Sequence, residues 1–176
     1  MKSLKLKHVL AVVFFGALTC AGATERPGAF LSKDEILRGL QRQDSPGEQG
    51  VRSRSLGSRN LVVRERSVDL TINFEFDSDR VVASSLPQLE QLKDALQDPK
   101  LARERFLVEG HTDAKGTAEY NQALSERRAL AIARFLQGAG VSKERLDWRG
   151  KGFSELKDPD QPQSAVNRRV RVKAID

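Results

Sequence analysis

The run from Arg105 to Gly140, RFLVEGHTDAKGTAEYNQALSERRALAIARFLQGAG, contains a strand, a turn and a long helix in direct succession. RFLVEG is a short apolar run ending at Gly110, the pattern of a buried strand. GHTDAKG then forms a glycine-bracketed turn carrying His111, Thr112 and Asp113. From Thr117 onward apolar residues recur at helical spacing as far as Leu136, and Gly138 and Gly140 stop the helix. Everything on either side is read relative to this strand–turn–helix unit.

On its N-terminal side, Val68, Leu70, Ile72, Phe74 and Phe76 alternate with Asp69, Thr71, Asn73 and Glu75, which predicts a half-buried strand. Leu89, Leu92 and Leu96 then fall at helical spacing, with Ser84 and Ser85 as candidate caps, Pro87 in the first turn and Pro99 at the end. On its C-terminal side, RLDWRG places Leu146 and Trp148 on one face of a third strand. A loop follows over 153–166, and RRVRVKAI, with Val170, Val172 and Ala174 alternating, is the last strand. The expected fold is α+β with the order β-α-β-α-β-β, two helices packed on one face of a mixed four-stranded sheet.

Residues 1–23 have another character. Three lysines precede the apolar run VLAVVFFGAL, and AGA supplies small residues before a cut after Ala23, the layout of a secretory signal peptide. Cys20 leaves a second reading open, an outer-membrane lipoprotein anchored through that cysteine, although Thr19 and Ala17 are poor residues around such a cut. Either way the expected location is the periplasm, with no membrane-spanning segment. Residues 24–67 form an N-terminal segment and linker. Ser32 and Glu35 make a capping box for a short helix near 32–42 with Ile36, Leu37 and Leu40 on one face, which either docks or stays a tether. Residues 44–60 are rich in Ser, Gly and Arg and poor in aliphatics, a linker composition. The folded domain is expected over 68–176.

The formal charge of +6 raises the question of a nucleic-acid partner. Residues 1–23 contribute three positive charges, residues 24–67 a further three net, and residues 68–176 balance 18 basic against 18 acidic side chains. The basicity therefore lies outside the domain, without a basic stripe interleaved with aromatics, and argues against nucleic acid.

Metal chemistry would have to rest on His111 with carboxylates, because no cysteine follows Cys20 and no HExxH spacing occurs. Nucleophilic catalysis lacks a GxSxG elbow or a reactive thiol, and no carboxylate pair is singled out. No cofactor is expected, and a non-enzyme is the preferred reading. The helix offers a sharper signal. With Leu124 at 0°, Arg128 falls at about +40°, inside the arc of Ala131, Phe135 and Ile132, whereas Arg127 lies on its edge. A guanidinium in an apolar stripe needs a partner, and Asp113, in the turn that feeds the helix, is the natural carboxylate. Two readings stand: a structural ion pair, or a split cation and anion displayed for a zwitterionic ligand.

GHTDAKG, YNQALSERRA, the Gly150–Gly152 pair and NRRV, in this order, closely resemble the OmpA-like C-terminal (peptidoglycan-associated) domain family over residues 68–176. The resemblance implies non-covalent binding of peptidoglycan stem peptides through the diaminopimelate head group. It puts Asp113 on the ligand ammonium and Arg128 on its carboxylate, with Phe76, Asp77 and Ser78 lining the cleft. Thr112, Asn121 and Leu124 are expected supports, Arg168 faces the site, and Asn167 fixes the last strand. Leu156 stands where the family often has proline, so the 153–166 loop is expected to be rebuilt. An alternative function is an adaptor whose 24–67 segment recruits an envelope protein, with wall binding only for location.

Overall fold

The computed structural model describes residues 30–41 and 65–175. The expected signal peptide, Cys20 and the 44–60 linker lie outside those residues. Among the described residues no helix is long and apolar enough to cross a membrane.

The sheet has four strands, β1 (Ser67–Leu70), β2 (Arg105–His111), β3 (Leu146–Gly152) and β4 (Val170–Ile175), in the spatial order β1-β4-β2-β3. β4 runs antiparallel to both β1 and β2, and β2 is parallel to β3, so the sheet is mixed as expected. The parallel pair needs a crossover, which α3 (Ala118–Gly138) supplies. Val68, Leu70, Phe106, Val108, Leu146, Val170 and Val172 share one core with the helices. Their alternate neighbours, among them Asp69, Glu109, Arg171 and Lys173, are charged and belong to the opposite face.

Three helices rather than two serve that core. α2 (Leu86–Leu96) buries Leu89, Leu92, Ala95 and Leu96, as its spacing predicts. α1 (Lys33–Leu40) docks fully, with Ile36 and Leu40 completely buried, which decides between docking and tethering. Its capping box forms as read: Ser32 Oγ accepts from Glu35 N, and Glu35 closes back on Ser32 N at 2.8 Å. Docking is secured by Gln88 of α2, buried, whose amide receives Leu31 N at 2.7 Å and donates to Leu31 O at 2.9 Å. An eight-residue helix is marginal alone, so this packing is what holds it.

Two local expectations are corrected. The alternation predicts a first strand as far as Phe76, but pairing stops at Leu70, because its partner β4 begins at Val170. Ile72 still enters the core, Phe74 makes a lone bridge to Val81, and Phe76 is fully exposed. Ser85 precedes α2 but does not cap it with its side chain; the hydroxyl instead accepts from Asn73 N at 2.9 Å, tying the post-β1 chain to the helix start.

α3 lies unusually close to the sheet. A Cβ on Gly110 would be 2.3 Å from Ser125 O, and one on Gly150 would be 2.5 Å from Glu126 N. Gly110 and Gly150 are paired across β2 and β3. These glycines allow the backbones to touch, and that contact sets where the first half of α3 stands relative to the GHTD turn.

Candidate functional site

The site gathers at the C-terminal end of β2, the start of α3, the 76–80 turn and the entry to β4. Thr117 caps α3 by accepting from Tyr120 N at 3.2 Å. Asn121, buried in the first turn, donates to the carbonyls of Lys115 (2.6 Å) and Thr117 (3.0 Å) and so closes the GHTDAKG turn onto the helix. Gly116, at φ +87°, lets the chain reverse there. Thr112 is buried, with its amide on Gly152 O at 2.8 Å, and Ala114 N reaches Pro162 O at 2.9 Å. The turn is thus pinned to the helix, to β3 and to the rebuilt loop. Leu124 is buried but apart from the main core cluster, beneath this end of the helix.

Asp113, expected to pair with Arg128, pairs instead with Arg168. Its carboxylate is buried; Oδ1 accepts from Lys115 N at 3.2 Å and Oδ2 lies 2.8 Å from Arg168 Nη1. Arg128 occupies the apolar arc as the helical spacing predicts, but meets no carboxylate in an ion pair among the described residues. Its guanidinium lies over the Phe74 ring, 4.7 Å from the centroid, and Nε donates to Ser78 O at 3.0 Å. The aromatic face and one carbonyl make a half-buried cation tolerable without an acid. Burial pushes the Arg128 pKa down, and Asp113 is near enough to favour its charge. Arg128 and Arg168 both line a small cleft with Ile72, Phe74, His111 and Val170.

The 76–80 turn reaches the same place. Asp77 adopts φ +50° and accepts from the Tyr120 hydroxyl, while Ser78 Oγ accepts from Arg80 N at 2.9 Å. Phe76 extends into solvent. Tyr120 escaped the sequence reading; its signal was its place in the first turn of a helix that opens beside the cleft. The structure therefore brings together Asp77, Ser78, Asn121, Arg128, Asp113 and Arg168, with Thr112 and Leu124 beneath and Phe76 at the margin.

Asn167 has a different task from the one expected. Completely buried, it accepts from Asp158 N at 2.9 Å and donates to Gln161 O at 2.9 Å, so it organises the loop before β4 rather than the strand. The two arginines after it part company. Arg168 goes to Asp113, and Arg169 is buried toward Asp69 and the Glu155 carbonyl.

On the sheet's outer face stands one histidine with carboxylates, the composition that metal chemistry would need in this sequence. Glu109, His111 and Glu155 come within ligand range of one another. Cations already span them: Lys151 Nζ is 2.6 Å from Glu155 and 3.6 Å from Glu109, and Lys173 is 2.9 Å from Glu109. Burial, aided by Arg169 and Arg171, pushes the His111 pKa down to about 4, so the ring is neutral at pH 7. Nearby, burial raises the Asp69 pKa, but Arg171 and Arg169 outweigh it and hold the carboxyl below its ordinary value.

Comparison with known proteins follows the same outline. The sequence profile of the OmpA family matches residues 73–171. A peptidoglycan-associated lipoprotein of Pseudomonas aeruginosa is 39% identical over 105 residues, covering 58% of this chain and 61% of that protein. The outer-membrane lipoprotein YfiB of the same organism is 30% identical over 173 residues, 94% of this chain and 92% of that protein. Among solved structures, the cell wall anchor of the T6SS from Pseudomonas aeruginosa aligns with TM-score 0.50 and 26% identity over 62% of this chain and 80% of that one.

Proposed function

The chain belongs to the OmpA family, and from that membership we propose that it binds peptidoglycan non-covalently, without catalysing a reaction on it. The ligand group is the diaminopimelate head group of the stem peptide, an ammonium and a carboxylate on one carbon. The observation that carries this reading is Arg128, half-buried at the cleft beside Asp113 yet lacking a carboxylate partner among the described residues. A zwitterion supplies the missing anion to Arg128 and brings an ammonium for Asp113. The Ser78 carbonyl of the 76–80 turn lies beside the guanidinium.

Two charge-assisted contacts contribute about 1.5–3 kcal/mol each. With a few backbone bonds this suits dissociation constants of about 1 mM to 1 µM. A wall polymer repeats its ligand, so rebinding lengthens residence without tighter contacts. The periplasm is the location this function requires.

Pull-down with purified sacculi tests the assignment: Asp113→Ala and Arg128→Ala each lose binding while far-UV circular dichroism stays native. Retained pull-down by both folded variants removes these residues from the site. Release of soluble muropeptides by the wild-type protein would instead establish an enzyme.

The adaptor reading draws support from one observation: similarity to YfiB extends over 94% of the chain rather than over the domain alone. Replacing residues 42–60 with a Gly-Ser linker of equal length leaves α1 intact and separates the two. Loss of an envelope partner with sacculus binding unchanged assigns recruitment to that segment.

A further inference from the structure

Three arginines line this cleft; Arg169 is committed to Asp69, which leaves Arg128 and Arg168 beside one buried carboxylate, Asp113. Asp113 is taken by Arg168 at 2.8 Å, and Arg128 stands over Phe74 without an acid. An ammonium arriving at Asp113 therefore finds the carboxylate already engaged. If Arg168 stayed, three cations would crowd Asp113 and a single head-group carboxylate, which is electrostatically unfavourable in a half-desolvated cleft.

Arg168 is built to turn away. Its backbone follows the short helical turn Ala165–Asn167, and Asn167 anchors that turn through Asp158 and Gln161. Its side chain, by contrast, is 48% exposed, and Asp113 is its only ion-pair partner among the described residues. A fixed base and a free arm make a pivot. The neighbouring Arg169, 5% exposed and committed to Asp69 and Glu155 O, has no such freedom.

Resting on the wall-binding reading above, we propose that Arg168 is a second anion clamp. It holds Asp113 while the cleft is empty and passes to a second ligand carboxylate when the ligand ammonium takes Asp113. The charges then balance: Arg128, Arg168 and the ammonium against Asp113, the head-group carboxylate and one further carboxylate. The anion assigned to Arg168 is the C-terminal carboxylate of the stem peptide, which amidation or cross-linking through that carboxyl removes. Among stem peptides with the head group intact, the protein therefore prefers those whose C-terminal carboxylate is free.

Isothermal titration of the full chain with two synthetic stem tetrapeptides tests this, one with its C-terminal carboxylate free and the other amidated, each with the diaminopimelate head group intact. Wild-type protein should bind the free acid about fivefold more tightly, the scale of one half-exposed charge-assisted contact. Arg168→Gln should bring the ratio to about one while binding persists, and Arg168→Lys should keep part of the preference. A ratio unchanged in Arg168→Gln overturns the clamp, as does equal tightening of both peptides, which marks Arg168 as a mere competitor for Asp113. Equal binding of both peptides by wild-type protein overturns the clamp and leaves head-group recognition standing. Failure of wild-type protein to bind either peptide overturns both readings.

Discussion

The contact between α3 and the sheet is the feature on which the cleft geometry depends, and Gly110→Ala strikes it directly. The added methyl would lie 2.3 Å from Ser125 O, an atom of helix backbone that no rotamer change can move. Ordinary separation of such atoms is about 3.5 Å, so the helix must retreat by roughly 1 Å or the strand must deform. Overpacking of this kind costs about 1–3 kcal/mol, and an obstacle of backbone places this case near the upper end. At a urea dependence of about 2 kcal/mol/M, the unfolding midpoint should fall by roughly 1–1.5 M. Gly138→Ala is the internal control. It is the same chemical change at the end of the same helix, with nothing within 4 Å of the new Cβ. There the sign reverses, because alanine is favoured over glycine in a helix by about 0.5–1 kcal/mol. Urea unfolding followed at 222 nm measures both. If Gly110→Ala stays within about 0.5 kcal/mol of wild type, the close approach is not structural and the account of how α3 is positioned fails.

Two further outcomes follow from buried groups. Because the folded-state pKa of His111 is lowered to about 4 from 6.5, the unfolded chain takes up a proton first as pH falls. The stability of neutral burial is therefore present above pH 6.5 and lost toward pH 4, by about 3 kcal/mol in full. Relative to His111→Gln, wild-type stability should decline across that window in urea titrations, and a constant difference would show that folding leaves the pKa of the ring unshifted. Leu40→Ala removes a completely buried side chain of α1 and should cost about 2–5 kcal/mol within a single cooperative transition. A loss under about 1 kcal/mol would make α1 a surface tether instead.

The order of elements was legible from periodicity alone. Alternation marked β4 and the start of β1, helical spacing marked α2 and α3, and the Ser32–Glu35 capping box marked α1. These signals are local: each depends on which face of one element is apolar. The anomaly of Arg128 was legible for the same reason, since a cation in an apolar arc shows on a helical projection. Where β1 ends was not, because Phe76 continues the alternation and only the start of β4 at Val170 removes its partner. Nor was it legible that α1 would be a third core helix, since its docking depends on Gln88, more than fifty residues away in sequence.

What the sequence determined by itself was the inventory of the site, the residue types and the elements that carry them. Which guanidinium holds Asp113 was decided by the tertiary structure. Arg168 comes from a loop that Asn167 folds back onto the GHTD turn, so it reaches the carboxylate at 2.8 Å, while Phe74 and Ser78 O retain Arg128. Charge pairing depends on distance and desolvation between segments remote in the chain, and neither quantity exists until those segments pack.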